Sequence, residues 1–220
     1  MTKQILRAMA AWSGMSVALL IMRICWSGNP SYIFLVWNLF LAWVPLFFAV
    51  RLGNLAAGPG RKVMKCALFG AWLLFFPNSP YILTDLFHLK PRPEIPLWFD
   101  LILILSFAWN GLMLGYASLF KVRKFMADRV PAKLVDLFMI CLIVLCSFGI
   151  YLGRYPRYNS WDLVSNPAGL FTGICSMLIH PFHHTGMLGM TFFFSVFLIA
   201  GYWTLNLFLV RTKNERDRTF

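Results

Sequence analysis

The sequence predicts an all-α fold, a polytopic transmembrane bundle of about six helices. Three observations carry this. The chain has 220 residues, of which 60 % are hydrophobic and only 13 % charged, with a mean hydropathy of +0.69. A soluble domain needs far more charge to cover its surface. The apolar residues also come in long runs, and a run of about 18 or more reads as a membrane span. Finally, the Lys and Arg residues fall in short clusters between those runs, as the positive-inside rule would place them. The net charge of +12 therefore does not indicate a nucleic-acid partner, because it forms no basic face or stripe.

Each span follows in order. Residues 1–7 are a short basic leader, and span one covers about 8–26. This run follows a basic start as a signal peptide does. It lacks a small-x-small cleavage site, so it is expected to be retained. Arg23 lies near its far end, where a long side chain can snorkel to the headgroups. Ser27-Gly28-Asn29-Pro30 is a tight turn. Span two covers about 32–50 and span three about 63–86, joined by a Gly/Pro loop at 51–62. Pro91, Pro93 and Pro96 restrict the next turn. Span four covers about 97–120, a strongly basic loop 121–133, and span five about 134–152. The longest span-free stretch is 154–186; within it, 168–179 is apolar enough to lie in the interface or to re-enter the bilayer. Span six covers about 187–210. The whole of 1–210 reads as one integral membrane domain, and 211–220 as a basic cytoplasmic tail that frays.

Orientation follows from the cations. Fifteen of the 20 Lys and Arg lie in the leader, the second and fourth loops and the tail; four lie in the other loops. With six spans, both termini are expected in the cytoplasm. All four histidines, with Asp85, Asp100, Arg154, Asn159 and Asp162, then fall at or near the outer face. Chemistry, if any, is expected at the outer leaflet.

Five sets of residues stand out. Polar groups in membrane segments are costly and mark functional sites by default. The stretch 75–89, FFPNSPYILTDLFHL, is the densest such place. At about 100° per residue, Asn78, Tyr81, Asp85 and His88 fall within an arc of roughly 80°. They form either a ligand site or a Pro-kinked helix end capped by its own polar residues. On span four, Asp100, Gly111, Gly115 and Ser118 share a face; Gly111-x-x-x-Gly115 suits close helix packing. Asp100 needs a partner, and Arg154 is the expected one. On span two, Asn38, Ala42, Pro45 and Ala49 form a small-residue packing face with one buried amide. The loop Arg154-Tyr-Pro-Arg-Tyr-Asn-Ser-Trp-Asp162 mixes cations, aromatics and an acid. It suits either an anionic headgroup or sugar, or an aromatic interfacial anchor. His180, His183 and His184 are a weak alternative metal set. They lack the HExxH spacing and a general-base glutamate, so no metal or other cofactor is expected. The five cysteines show no metal spacing. A Cys25–Cys175 disulfide is the one pairing the topology leaves open.

Asn78, Asp85, Asp100 and Arg154 are expected to converge across spans three to five. Together with Tyr81, His88, Asn159 and Asp162 they make the candidate polar pocket. Two acids and one arginine leave a negative charge unless a proton or a cation compensates.

Five strings go beyond composition: N-x-x-x-A-W-x-P at 38–45, F-P-N-S-P-Y-I-L-T-D-L-F-H-L at 76–89, W-F-D at 98–100, W-N-G at 109–111, and R-Y-x-R-Y-N-S-W-D at 154–162. Through them the chain resembles a bacterial multi-pass membrane family catalogued as domain of unknown function 1361, over roughly 37–197. The resemblance implies an inner-membrane location and no particular chemistry. Three roles stay open. One is binding or acting on a lipid, a lipid-linked substrate or another anionic small molecule at the outer leaflet. The second is a small transporter or channel subunit. The third is an assembly or accessory protein that binds membrane-protein partners. Nothing in the sequence decides whether the protein is an enzyme.

Overall fold

The computed structural model describes residues 3–55 and 61–218, with the side chains of 132, 210 and 212–218 outside the description. The helices are α1 (Lys3–Ser27), α2 (Phe34–Asn54), α3 (Arg61–Phe75), α4 (Asn78–Tyr81), α5 (Leu97–Ala127), α6 (Ala132–Arg154), α7 (Asp162–Ser165), α8 (Pro167–Ile179) and α9 (Thr185–Arg218). Two 3-10 segments, Ile82–His88 and Pro181–His183, complete the order. Among the described residues, six helical stretches are long and apolar enough to cross a membrane, with α3 continuing through α4 to His88 as one of them. The all-α, six-span expectation is met. α9 runs on through Arg218, into the stretch expected as the tail. Residues 56–60 of the expected second loop, and 219–220 of the tail, lie outside the described residues.

The chain divides into two compact units, 1–135 and 136–220. In the first, α5 is the central helix. It is buried on several faces, through Leu103, Ile104, Phe107, Ala108, Leu114 and Leu119. A bundle helix covered by neighbours reads as apolar all round for this reason. α2 packs on α5 along Leu35, Leu39, Ala42, Leu46 and Ala49. The small residues at Ala42 and Ala49 let the helices approach. α1 buries only Ser16, Leu20 and Arg23, spaced four and three apart and therefore on one face. Its exposed side chains include Trp12, Ile21 and Met22. With no water to drive them inward, such surfaces are what a helix turns to lipid.

In the second unit, Tyr151 of α6, Met177 of α8 and Met187 of α9 make a small core, with Phe148, Leu152, Tyr158 and Met190 against it. α8 has 13 residues. At 1.5 Å per residue it is about 20 Å long, too short to cross a hydrocarbon layer of about 30 Å.

Candidate functional site

The stretch from Phe75 to His88 departs from a regular α-helix, for a local reason. Pro77 and Pro80 have no N–H and cannot continue the ladder. α3 stops at Phe75, and α4 is a single turn. From Ile82 the backbone tightens into a seven-residue 3-10 helix. At three residues per turn, Ile82, Asp85 and His88 stack above one another. Asn78 and Tyr81 come before this stack, on the single α-turn. Asn78 turns back on its own helix, its Nδ2 donating to the Phe75 carbonyl at 3.0 Å. This is the self-capping the sequence had left open. Ser79 Oγ donates instead to the Ala42 carbonyl on α2, at 2.9 Å. Thr84 Oγ1 donates to the Tyr81 carbonyl at 2.8 Å.

The bent segment is held against α5 by the two glycines. A Cβ placed on Gly111 would come within 2.5 Å of the Ser79 carbonyl oxygen, and one on Gly115 within 3.2 Å of Ser79 Cβ. Only a bare backbone fits at Gly111, so Gly111-x-x-x-Gly115 is a packing motif within this unit.

That packing places Asp85. Its carboxyl is buried, with a side chain 2 % exposed. Asn38 Nδ2 on α2 donates to Oδ2 at 2.8 Å. On the other oxygen, Oδ1 lies 3.9 Å from His88 Nδ1, and the His88 side chain is 43 % exposed. The amide, carboxyl and imidazole thus run from the helix packing to the surface of the unit. Phe34 lies against the imidazole, ring centres 5.0 Å apart. Tyr32 Oη donates to the His88 carbonyl at 3.2 Å.

Tyr32 links this line to a second polar set. The guanidinium of Arg23 stands 4.7 Å from the centre of its ring, and that of Arg92 stands 4.9 Å away. Arg92 Nη1 also donates to Ser31 Oγ. Arg23 and Asp100 form a buried ion pair, with Nε donating to Oδ1 at 2.9 Å and both side chains 1 % exposed. Nη2 reaches Oδ2 at 3.5 Å, and Nη1 donates to the Asn29 carbonyl at 2.7 Å. The cation expected for Asp100 was Arg154; the one that holds it is Arg23. Arg23 does not snorkel. It lies in register with buried Ser16 and Leu20, and leaving that face would strand Asp100 without its counter-charge.

Arg154, Asn159 and Asp162 belong to the second unit. There the Asn159 backbone N–H donates to Asp162 Oδ2 at 2.7 Å, and Ser165 Oγ donates to Oδ1 at 3.0 Å. Asp162 thereby closes its own loop and starts α7. Asn166 caps α8, its Oδ1 accepting from the Gly169 N–H at 3.1 Å. Tyr158 Oη donates to the Gly169 carbonyl at 3.3 Å. The rings of His180 and His183 are 5.7 Å apart. Among the described residues no three His, Cys, Asp or Glu side chains gather to hold a metal. All five cysteines are free thiols, Cys25 and Cys175 included.

Sequence reasoning therefore singled out Asp85 and His88 but missed Arg23, Tyr32 and Arg92 as their surroundings, and treated Asn38 only as a packing amide. A signal for Arg23 was present: Ser16, Leu20, Arg23 and Ser27 recur at four, three and four. Nothing in the spacing pairs Asn38 with Asp85, 47 positions later.

The class is now defined: a multi-pass helical membrane protein whose first unit carries a buried carboxyl beside a half-exposed imidazole. The chain belongs to the family described as protein of unknown function (DUF1361), whose sequence pattern matches residues 37–200. No curated protein and no solved structure matches it.

Proposed function

We propose that the protein is a bacterial inner-membrane protein, both termini cytoplasmic, that holds a lipid or lipid-linked ligand at the outer leaflet. One observation carries this reading: the line Asn38–Asp85–His88, in which a buried carboxyl leads to an exposed imidazole. An acid inside a membrane helix is costly, and Asp85 sits there hydrogen-bonded to the Asn38 amide and beside the His88 imidazole. Asp100 and Arg23 act as a brace that fixes the turn carrying Tyr32. Arg154, Asn159 and Asp162 are a second polar set, on a loop that the same orientation places outside.

Two observations weigh against the other roles. An accessory protein would offer its Gly and Ala faces to other helices, whereas Gly111, Gly115, Ala42 and Ala49 face this chain's own packing. A transporter needs a polar path through the other half of the bundle. There, Asn110 Nδ2 donates to Ser13 Oγ at 2.8 Å, and Trp43 Nε1 donates to the same oxygen at 3.1 Å. These are neutral groups closed on one another.

The test is extraction of bound lipid from protein purified in mild detergent, with mass spectrometry of the extract. Wild-type protein should enrich one headgroup class or lipid-linked molecule over the bulk membrane, and Asp85→Asn should lose the enrichment. Bulk composition in both would overturn the reading.

A further inference from the structure

Resting on that reading, we propose that the site recognises a headgroup carrying both a phosphate and a free hydroxyl. In this scheme His88 Nε2 accepts the hydrogen bond from the hydroxyl, and Arg92 holds the phosphate.

The geometry at His88 assigns the two ring edges. Nδ1 faces Asp85 Oδ1 at 3.9 Å, an ion-pair contact rather than a hydrogen bond. Such contacts are commonly loose until a ligand arrives. A carboxylate on that side favours the proton on Nδ1, and which nitrogen of a neutral imidazole accepts is set by what the other one faces. The Nε2 lone pair is then the acceptor. Asp85 is a positioning residue, and Asn38 fixes its other oxygen at 2.8 Å. The described contacts bring these charged and titratable groups to His88 and its neighbour: Asp85 on its own segment, Tyr32 through the His88 carbonyl, and, around Tyr32, Arg23, Arg92 and Asp100.

The phosphate partner follows from Tyr32, which touches both sides. Its hydroxyl holds the His88 backbone, and its ring lies against Arg92. Arg23 is consumed by Asp100, Asn29 and the same ring. Arg92 is different: it is half-buried, braced by Ser31, and has no carboxylate among its described partners. A guanidinium carries five N–H donors in a planar fork that matches a phosphate. Hydroxyl and phosphate are adjacent on a glycerophosphate headgroup, which offers an imidazole and a guanidinium one group each. A choline headgroup offers the phosphate without the hydroxyl.

The experiment is nitrogen NMR of histidine-labelled protein in nanodiscs, with the His88 signals assigned by the exposed-site variant His88→Gln. The wild type should show the Nδ1–H tautomer of neutral His88. Its Nε2 signal should move in phosphatidylglycerol nanodiscs and stay in place in phosphatidylcholine ones. Arg92→Gln should keep the tautomer and weaken the phosphatidylglycerol response several-fold. Asp85→Ala should lose the tautomer preference. Adding soluble glycerol phosphate to phosphatidylcholine nanodiscs separates the sources: a response at millimolar ligand assigns the site to the headgroup chemistry alone, and no response assigns it to the intact lipid. An Nε2–H tautomer in the wild type would overturn the inference even if Asp85→Ala did not fold. Equal signals in the two lipids, with no response to soluble glycerol phosphate, would overturn it too. Either result leaves the extraction experiment standing by itself, since that measures enrichment of any lipid class.

Discussion

Removing either member of the Arg23–Asp100 pair should weaken the first unit more than almost any other polar substitution. The two groups meet at 2.9 Å with side chains 1 % exposed. Two unit charges about 4 Å apart interact by ~4 kcal/mol at an effective dielectric constant near 20. Much of that is offset by desolvating both, so the pair adds little against an apolar replacement. Breaking it is another matter, because one charge is left buried without its partner. The expected loss is about 3–5 kcal/mol for Asp100→Ala or Arg23→Ala. The second should be the worse, since Arg23 also holds the Asn29 carbonyl and lies over Tyr32. In the double variant Arg23→Met/Asp100→Leu the stranded charge disappears. Its loss should be smaller than the sum of the singles by about 2–3 kcal/mol. The assay is unfolding of the purified protein in mixed detergent, followed by helical circular dichroism. Additive losses, or single variants that each cost under about 1 kcal/mol, would refute the picture of a buried, mutually dependent pair.

Other outcomes follow from the same contacts. Gly111→Ala should cost about 1–3 kcal/mol or more, because its Cβ would meet backbone at Ser79, and Gly115→Ala should cost less; thermal midpoints of the two variants rank them. Asn166→Ala removes the cap of α8 and should cost about 1 kcal/mol, read by hydrogen exchange at Gly169. Protein purified without added metal should contain no stoichiometric zinc by elemental analysis. About one metal per chain, lost in a His183→Ala/His184→Ala variant, would instead establish a metal site.

The six spans were legible because hydrophobic run length is a property of the chain alone, and a bilayer imposes it strongly. The break at Pro77 was equally legible, since proline acts on its own neighbours. The 3-10 helix beyond it was not. Its three-residue turn puts Asp85 in line with His88, which a 100° wheel would set about 60° apart. The ion pair shows a second limit. Arg23 looked like a snorkelling end-of-span cation because span boundaries come from hydropathy. Which cation a buried acid chooses depends on which helix lies beside it, and Asp100 on α5 lies beside α1. The loop around Asp162 shows the reverse. The mixed string 154–162 suggested a binding surface, and short-range geometry explains Asp162 through its bonds to Asn159 and Ser165.

Whether the line from Asp85 opens to the outside is decided most directly by labelling from that side. In a variant whose five native cysteines are replaced by alanine, His88→Cys should react with a membrane-impermeant maleimide in cells whose inner membrane is intact. Asp85→Cys, at a position buried beneath it, should stay unlabelled until the protein is denatured. Labelling of His88→Cys only after the inner membrane is opened would place the site on the cytoplasmic face and contradict an outer-leaflet ligand.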